Sequence, residues 1–292
     1  MQRRGFVSLI GIALGLVAWQ VAVAVNPHSL IPGPIVVLRA VLELAERGLL
    51  IKYIVASLFR VTWGYLLALC LAIPIGVFLG LRRRSELAFN PLLQILRPIS
   101  PLAWIPIAIL WFGVGDVSAI FLIFVASFLP LTLATMNAVQ NIDPIVVSAG
   151  RNFALSPRRL LRSVILPAIL PQLVVAMRIA LGIAWLVVVA AEMIAVNSGL
   201  GFLIIDARNA GNRYDLVIAG MLLIGLIGLA LDTSMRRLEK LDFVTPSSES
   251  PLSRRQHELR AGRCAAAHRS GCSRGRIRLH PGPLRLRQVD DA

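Results

Sequence analysis

An all-α membrane protein with six transmembrane helices and both termini on the cytoplasmic side is what this sequence predicts, on three observations. The chain of 292 residues is 57% hydrophobic and 15% charged, with a mean hydropathy of +0.76, values that a soluble domain seldom reaches. Several apolar runs approach the roughly 20 residues needed to cross a hydrocarbon core of about 30 Å. The net charge of +15 is gathered at the ends of those runs and in the last fifty positions. That placement is an orientation signal, not a nucleic-acid surface.

The first predicted span is Gly5–Val25. It follows Arg3 and Arg4 and lacks a small-residue cleavage site, so it reads as a retained helix. Asn26–Leu50 carries Pro32-Gly33-Pro34 and an amphipathic pattern with Arg39, Glu43, Glu46 and Arg47, the mark of an interfacial helix. Span two is Ile54–Leu81, closed by Arg82, Arg83 and Arg84. Span three is Ile99–Phe112, short and broken by Pro101 and Pro106. Span four is Val117–Val139, span five Leu170–Val196, and span six Leu216–Asp232, followed by Arg236, Arg237 and Lys240. The basic clusters then share one side of the membrane. Within lipid every backbone N–H and C=O needs an internal partner, which only helices provide here.

Between spans four and five lies a basic island, Val147–Pro167. Asp143-Pro144 and Ser156-Pro157 each supply an N-cap and a first-turn proline, so the island reads as two short helices, with Pro167 closing the second. A rigid helical knuckle on the positive side is a surface presented to a soluble partner. Arg151, Arg158, Arg159 and Arg162 pair either with acids on that partner or with lipid head groups.

The knuckle resembles the signature loop of ABC importer permeases: E-A-A, three residues, glycine, nine residues, isoleucine, one residue, L-P. Ser148, Ala149 and Gly150 stand at E-A-A, Ala154 at the glycine, Val164 at the isoleucine, and Leu166 and Pro167 at L-P. The first acid and the glycine are replaced. Leu30–Pro34, Ser57–Val61, Gly64 through Gly76 and Gly80, Pro98–Trp111, Ala190–Ile194 and Ser198–Phe202 look like the nitrate/sulfonate/taurine/bicarbonate branch, over about residues 5–242. The resemblance implies the ABC type I importer permease fold. It divides the chain into a first helix at 1–25, a periplasmic interfacial segment at 26–53, and a core permease domain at 54–242 with its coupling loop at 140–168. It also implies a permease homodimer, two ABC ATPase subunits that bind the ATP, and a periplasmic substrate-binding protein. The cargo it implies is a small solute such as an aliphatic sulfonate, taurine or nitrate. No in-frame phosphate-binding G-x-x-x-x-G-K-[ST] loop occurs, so this chain is not expected to hydrolyse ATP itself; no cofactor, metal or catalytic residue is expected in it.

Glu192 lies toward the outer end of span five. Ionisable residues within a span are costly and often functional. Either it is a pathway or gate residue, or it is a structural partner of an arginine or backbone amides. Arg178 stands 14 residues earlier, about 21 Å along a helix, too far to be that partner; it is expected to snorkel to the inner surface. Asp206, Arg208, Arg213 and Asp215 read as solvated loop charge.

A stand-alone carrier would show internal repeats or intramembrane ion sites, and no repeat is evident. An intramembrane enzyme would place histidines in its spans, whereas His28, His257, His268 and His280 lie outside them. Residues 243–292 read as a disordered basic tail with ten arginines and no lysine. Back-translated with GC-rich codons and shifted by one base, Ala265 to Ala292 permit ALQRIDLDVREGEFVSILGPSGCGKSTT, which resembles the start of an ABC ATPase. The tail thus reads as out-of-frame ATPase coding sequence.

Overall fold

The computed structural model describes residues 2–25, 31–209 and 211–239. Residues 26–30 and the tail lie outside these, so the interfacial segment is seen only from Ile31 onward. Regular structure among the described residues is helical throughout. In chain order the α-helices are α1 (Gln2–Val25), α2 (Pro34–Glu46), α3 (Leu49–Leu81), α4 (Arg83–Leu96), α5 (Ile105–Phe112), α6 (Asp116–Gln140), α7 (Pro144–Asn152), α8 (Pro157–Leu160), α9 (Leu166–Ala195), α10 (Leu200–Asn209) and α11 (Tyr214–Glu239). A 3₁₀ turn, Pro101–Trp104, precedes α5, and a π-helical turn, Leu161–Ile165, joins α8 to α9. Among the described residues four stretches are long and apolar enough to cross a membrane: α3, α6, Pro157–Ala195 and Tyr214–Arg237. The α4 and Pro101–Phe112 legs, bent by 86°, make a fifth if counted as one broken span.

Helix α9 begins at Leu166, not Leu170, and α11 runs Tyr214–Glu239, not Leu216–Asp232; two further differences have a clear backbone cause. Helix α3 starts at Leu49, not Ile54, because Gly48 takes a left-handed φ of 68° and turns the chain directly from α2 into α3. The third span is a pair of legs, since Pro98, Pro101 and Pro106 remove backbone donors and leave α5 only eight residues long.

Helices α3 and α6 are parallel and in close contact: Gly64 faces Ile123, Gly76 faces Thr135 and Gly80 faces Val139. Helix α9 runs against both, with Ala191 near Ala119 and Ile169 near Ala138 and Val139. Helix α11 closes the far side, where the Trp185 indole donates to the Ile224 carbonyl at 3.1 Å. Arg178, expected to snorkel, is instead ion-paired to α11 through Asp232 and Glu239, both at 2.9 Å, since α11 brings two acids within its reach.

The amphipathic α2 buries Val37 and Ala40 against Ala219 of α11. Arg213, read from sequence as solvated loop charge, ties the two helices: its guanidinium donates to Glu43 at 2.7 and 3.1 Å and to Asp215 at 2.6 Å. The Arg213 hydrogen bonds hold the Glu43 carboxyl below its ordinary value of 4.5. A depressed carboxylate stabilises the fold above its unfolded pKa, and that contribution is lost as pH falls through the folded value. Protection of α2 amides against hydrogen exchange, corrected for intrinsic rates, is therefore expected to drop on acidification below pH 4.5, and Glu43→Gln should weaken that dependence, leaving the part that Asp215 contributes through the same arginine. An equal drop in both proteins would place the titration elsewhere.

Candidate functional site: a coupling knuckle and a buried charge node

The knuckle forms as its caps predict at the first helix and departs at the second. The Asp143 carboxylate accepts from the Ile145 N–H at 2.8 Å, satisfying one orphan donor of α7. Ser156 occupies the N-cap of α8, but its hydroxyl makes no capping bond. Pro167 does not close the second helix. The chain continues from Pro157 to Ala195 as one 39-residue rod. A proline removes an i→i−4 bond and crowds the carbonyl before it; the π turn immediately upstream, where the Leu166 N–H reaches Leu161 O, absorbs that mismatch without a break.

Gly150 is buried, and a Cβ there would stand 2.5 Å from a Leu160 methyl, so α7 and α8 pack closely across the turn. Val164 borders the same contact. Ile165 and Ile169 anchor the knuckle to Val77 of α3 and to Ala138 and Val139 of α6, with Leu160 and Leu166 packed around them. Ser148, Ala149, Ala154, Arg158, Arg159, Arg162 and Pro167 are exposed; Arg151 lies in α7. Sequence reasoning missed the apolar part of this surface: Ile145 and Phe153 are 74% and 79% exposed. An aromatic residue within a basic turn was the available signal. An exposed apolar and basic face on a braced knuckle is suited to docking.

Ala154 lies in the turn at φ 52°, where a non-glycine residue costs about 1–2 kcal/mol. Ala154→Gly is expected to stabilise the knuckle by about 1 kcal/mol, read as greater hydrogen-exchange protection in α7. Weaker protection would show that alanine's side chain contributes more than its strain costs.

The second feature lies at the opposite end of the bundle. Glu192 is fully buried and Arg60 is 2% exposed. Arg60 Nη1 donates to Glu192 Oε1 at 2.7 Å and to the Ser198 carbonyl at 2.8 Å. Its Nε donates to Asp116 Oδ1 at 2.8 Å, and Nη2 to Ser198 Oγ. The other Glu192 oxygen accepts from Ser57 Oγ and from the Gly201 N–H, each at 2.9 Å. Ser57 Oγ in turn accepts from Leu200 N–H at 3.0 Å. Every strong donor and acceptor of the pair is used, as burial of charge requires. A Cβ on Gly199 would stand 2.4 Å from the Glu192 carboxyl, and one on Gly201 2.2 Å from the Val189 carbonyl, so only glycine lets the loop wrap the carboxylate. A cavity of about 670 Å³ borders the node, with Lys52, Phe59, Arg60, Asp116 and Ser198 on its wall.

The node joins α3, α6, α9 and the loop into α10. Of the two readings of Glu192, the arginine-and-amide partnership is the one the geometry contains; Arg60, not Arg178, is its partner. Arg60 is the sole charged residue within 54–81, and that isolation was the overlooked signal.

The fold and the knuckle together define a multi-pass helical membrane protein with a braced, exposed helical knuckle at one end. The family model for the inner membrane component of binding-protein-dependent transport systems matches residues 72–241, and the chain belongs to that family: it is a non-catalytic, multi-pass component of the inner membrane. It is 34% identical over 230 residues to a putative aliphatic sulfonates transport permease of Bacillus subtilis, covering 78% of this chain and 83% of that protein. It is 31% identical over 249 residues to the taurine transport system permease of Escherichia coli, covering 82% and 90%. A solved inward-facing structure of the MetNI methionine ABC transporter shares the fold at a TM-score of 0.59 and 20% identity, covering 67% of this chain and 97% of that one.

Proposed function

We propose that this chain is the permease subunit of an ATP-driven importer for a small oxyanion, an aliphatic sulfonate, taurine or nitrate, delivered by a periplasmic binding protein. It acts as a homodimer on two ATPase subunits, which bind the ATP; the permease needs no cofactor of its own. The membrane is crossed six times, by α1, α3, the α5-containing segment Ile99–Phe112, α6, α9 and α11, with both termini and the knuckle in the cytoplasm. The parallel course of α3 and α6 supports this topology, because both must run inward. The sulfonate and taurine permeases among its relatives support the solute class, which fold likeness alone does not specify.

One observation carries the mechanism: the second helix of the knuckle, on which α7 packs through Gly150, and Glu192 lie on a single helical rod. From Arg158 to Glu192 that rod spans about 50 Å. ATPase closure against Ile145, Phe153 and the exposed arginines of the knuckle is thereby delivered to the periplasmic end of α9. There the Arg60–Glu192–Asp116 node acts as the gate latch, with Asp116 as its exposed, releasable arm. The test is reconstitution with the ATPase and binding protein. Phe153→Asp with Arg158→Glu and Arg159→Glu is expected to abolish binding-protein-stimulated ATP hydrolysis while leaving the permease folded. Stimulation at the wild-type level would remove the docking assignment, and uptake without any ATPase would remove the importer assignment.

Residues from about 245 onward are proposed to be out-of-frame ATPase coding sequence. The family match ending at residue 241 and the coherent hidden phosphate-binding loop support this. The nucleotide sequence decides it, and truncation at residue 245 is expected to preserve transport.

A further inference from the structure

Helix α4 is unlike the spans on either side of it. At 14 residues it is about 21 Å long, too short to cross about 30 Å of hydrocarbon. Its faces are segregated. Arg83, Glu86, Asn90, Gln94 and Arg97 recur at helical spacing on one side; Ala88, Leu92 and Ile95, with Phe89 and Leu96, occupy the other. Leu93 alone is buried, against Leu79, Leu133 and Met136. Those three residues lie within the last turns of α3 and α6, so α4 sits at the knuckle end of the bundle. The Pro101–Phe112 leg, which packs along α6 through Ile105 and Ala108, departs from α4 at 86°. A helix that meets an upright neighbour at a right angle, at the end of the spans, lies across them.

Its apolar face has no partner among the described residues: Phe89 and Leu92 are each 51% exposed and Ile95 is 67% exposed. The charge is one-sided. Among the described residues Arg83, Arg84 and Arg97 have no acid within ion-pair distance, and Arg82 stacks on Phe78 at 5.0 Å. By contrast Arg60, Arg178 and Arg213 each find two acids. Exposed apolar side chains beneath a collar of four arginines and one glutamate match a bilayer surface bearing negative head groups.

We propose that α4 lies in the plane of the membrane and docks on anionic phospholipid, with Phe89, Leu92 and Ile95 among the upper acyl carbons and Arg83, Arg84 and Arg97 on head-group phosphates. The proposal rests on the cytoplasmic placement of the knuckle end. It has a consequence for coupling. A cavity of about 650 Å³ separates α4 from α7, with Arg83 and Glu86 on one wall and Val147 and Ser148 on the other. Lipid that fixes α4 fixes one wall of the recess beside the docking element.

The test uses the full transporter in nanodiscs. A nitroxide on Ile95→Cys, in a background lacking the native cysteines, is expected to be relaxed by oxygen and shielded from a water-soluble nickel reagent; a nitroxide on Asn90→Cys should show the reverse. Water exposure at residue 95, or spin–spin broadening from a second copy, overturns the proposal. In mixed phosphatidylcholine and phosphatidylglycerol, lipid co-purified with the protein is expected to be enriched in phosphatidylglycerol. That enrichment should fall about fivefold per arginine as Arg83, Arg84 and Arg97 are changed to Gln. Glu86→Gln, which removes the only acid, should raise it. Enrichment indifferent to all four changes would sink the idea. Thiol labelling of Phe153→Cys from the cytoplasmic side checks the orientation separately, so an error in topology and an error in lipid binding give different results.

Discussion

Replacing Arg60 by leucine is expected to destabilise the protein by about 3–5 kcal/mol, because it leaves a fully buried carboxylate without its cation. Glu192 would keep the Ser57 hydroxyl and the Gly201 N–H, two neutral donors that do not balance its charge. Removing both charges together, as Arg60→Leu with Glu192→Leu, is expected to recover much of the loss, since a matched apolar pair costs no ionic desolvation. The measurement is the unfolding midpoint of the purified transporter in detergent for both single variants and the double. The two sites touch, so their effects should be strongly non-additive. If the single variants fall within about 0.5 kcal/mol of wild type, as ordinary surface changes do, the node is not a structural ion pair. The cycle also separates latch from scaffold. A double variant that is stable yet hydrolyses ATP without the binding protein has lost control of the periplasmic end. One that is stable and normally regulated assigns the node to folding alone.

Much of this architecture was legible because hydropathy and caps are local. Helix α6 follows its apolar run to within a residue at each end, and Asp143-Pro144 marks the start of α7. What escaped the sequence was non-local or depended on competing backbone effects. Pro167 reads as a stop because proline removes a donor; the π turn that carries the helix past it has no sequence signature of its own. Arg60 and Glu192 are separated by 132 positions, and only the packing of α3 on α9 makes them partners. Arg178 looked like a snorkelling residue because Asp232 and Glu239 come from another helix. Ile145 looks unremarkable in an apolar chain, and Phe153 stands out only by its basic neighbours; their significance is that the fold leaves them uncovered. The helical island was readable from its Asp-Pro and Ser-Pro pairs, whereas the node at the far end of the same rod was half visible, as an acid without its base.

The contact between α3 and α6 yields the other large expected effect. Gly64, Ala68, Ala72, Gly76 and Gly80 repeat every fourth residue along α3, a stripe of small side chains that lets two backbones approach in lipid. Apolar collapse cannot drive helices together there, since lipid is as apolar as leucine, so close packing must do it. At Gly76 an added Cβ would stand 2.6 Å from Thr135 Cβ and 2.8 Å from the Thr132 carbonyl; at Gly80 it would stand 2.7 Å from Val139 Cβ and 2.9 Å from the Met136 carbonyl. Backbone carbonyls cannot rotate away as a flexible side chain would. Gly76→Ala is therefore expected to cost about 1–3 kcal/mol by overpacking, despite alanine's advantage of up to about 1 kcal/mol in a helix interior. Gly182→Ala on α9 is the matched control, because nothing lies within 4 Å of its added Cβ and only the helical advantage should remain. Opposite signs for the two substitutions, read as unfolding midpoints, would establish that contact and not propensity governs this helix pair. If Gly76→Ala raised the midpoint as Gly182→Ala does, the two helices would have room to spare, and the close parallel packing of α3 on α6 would have to be abandoned.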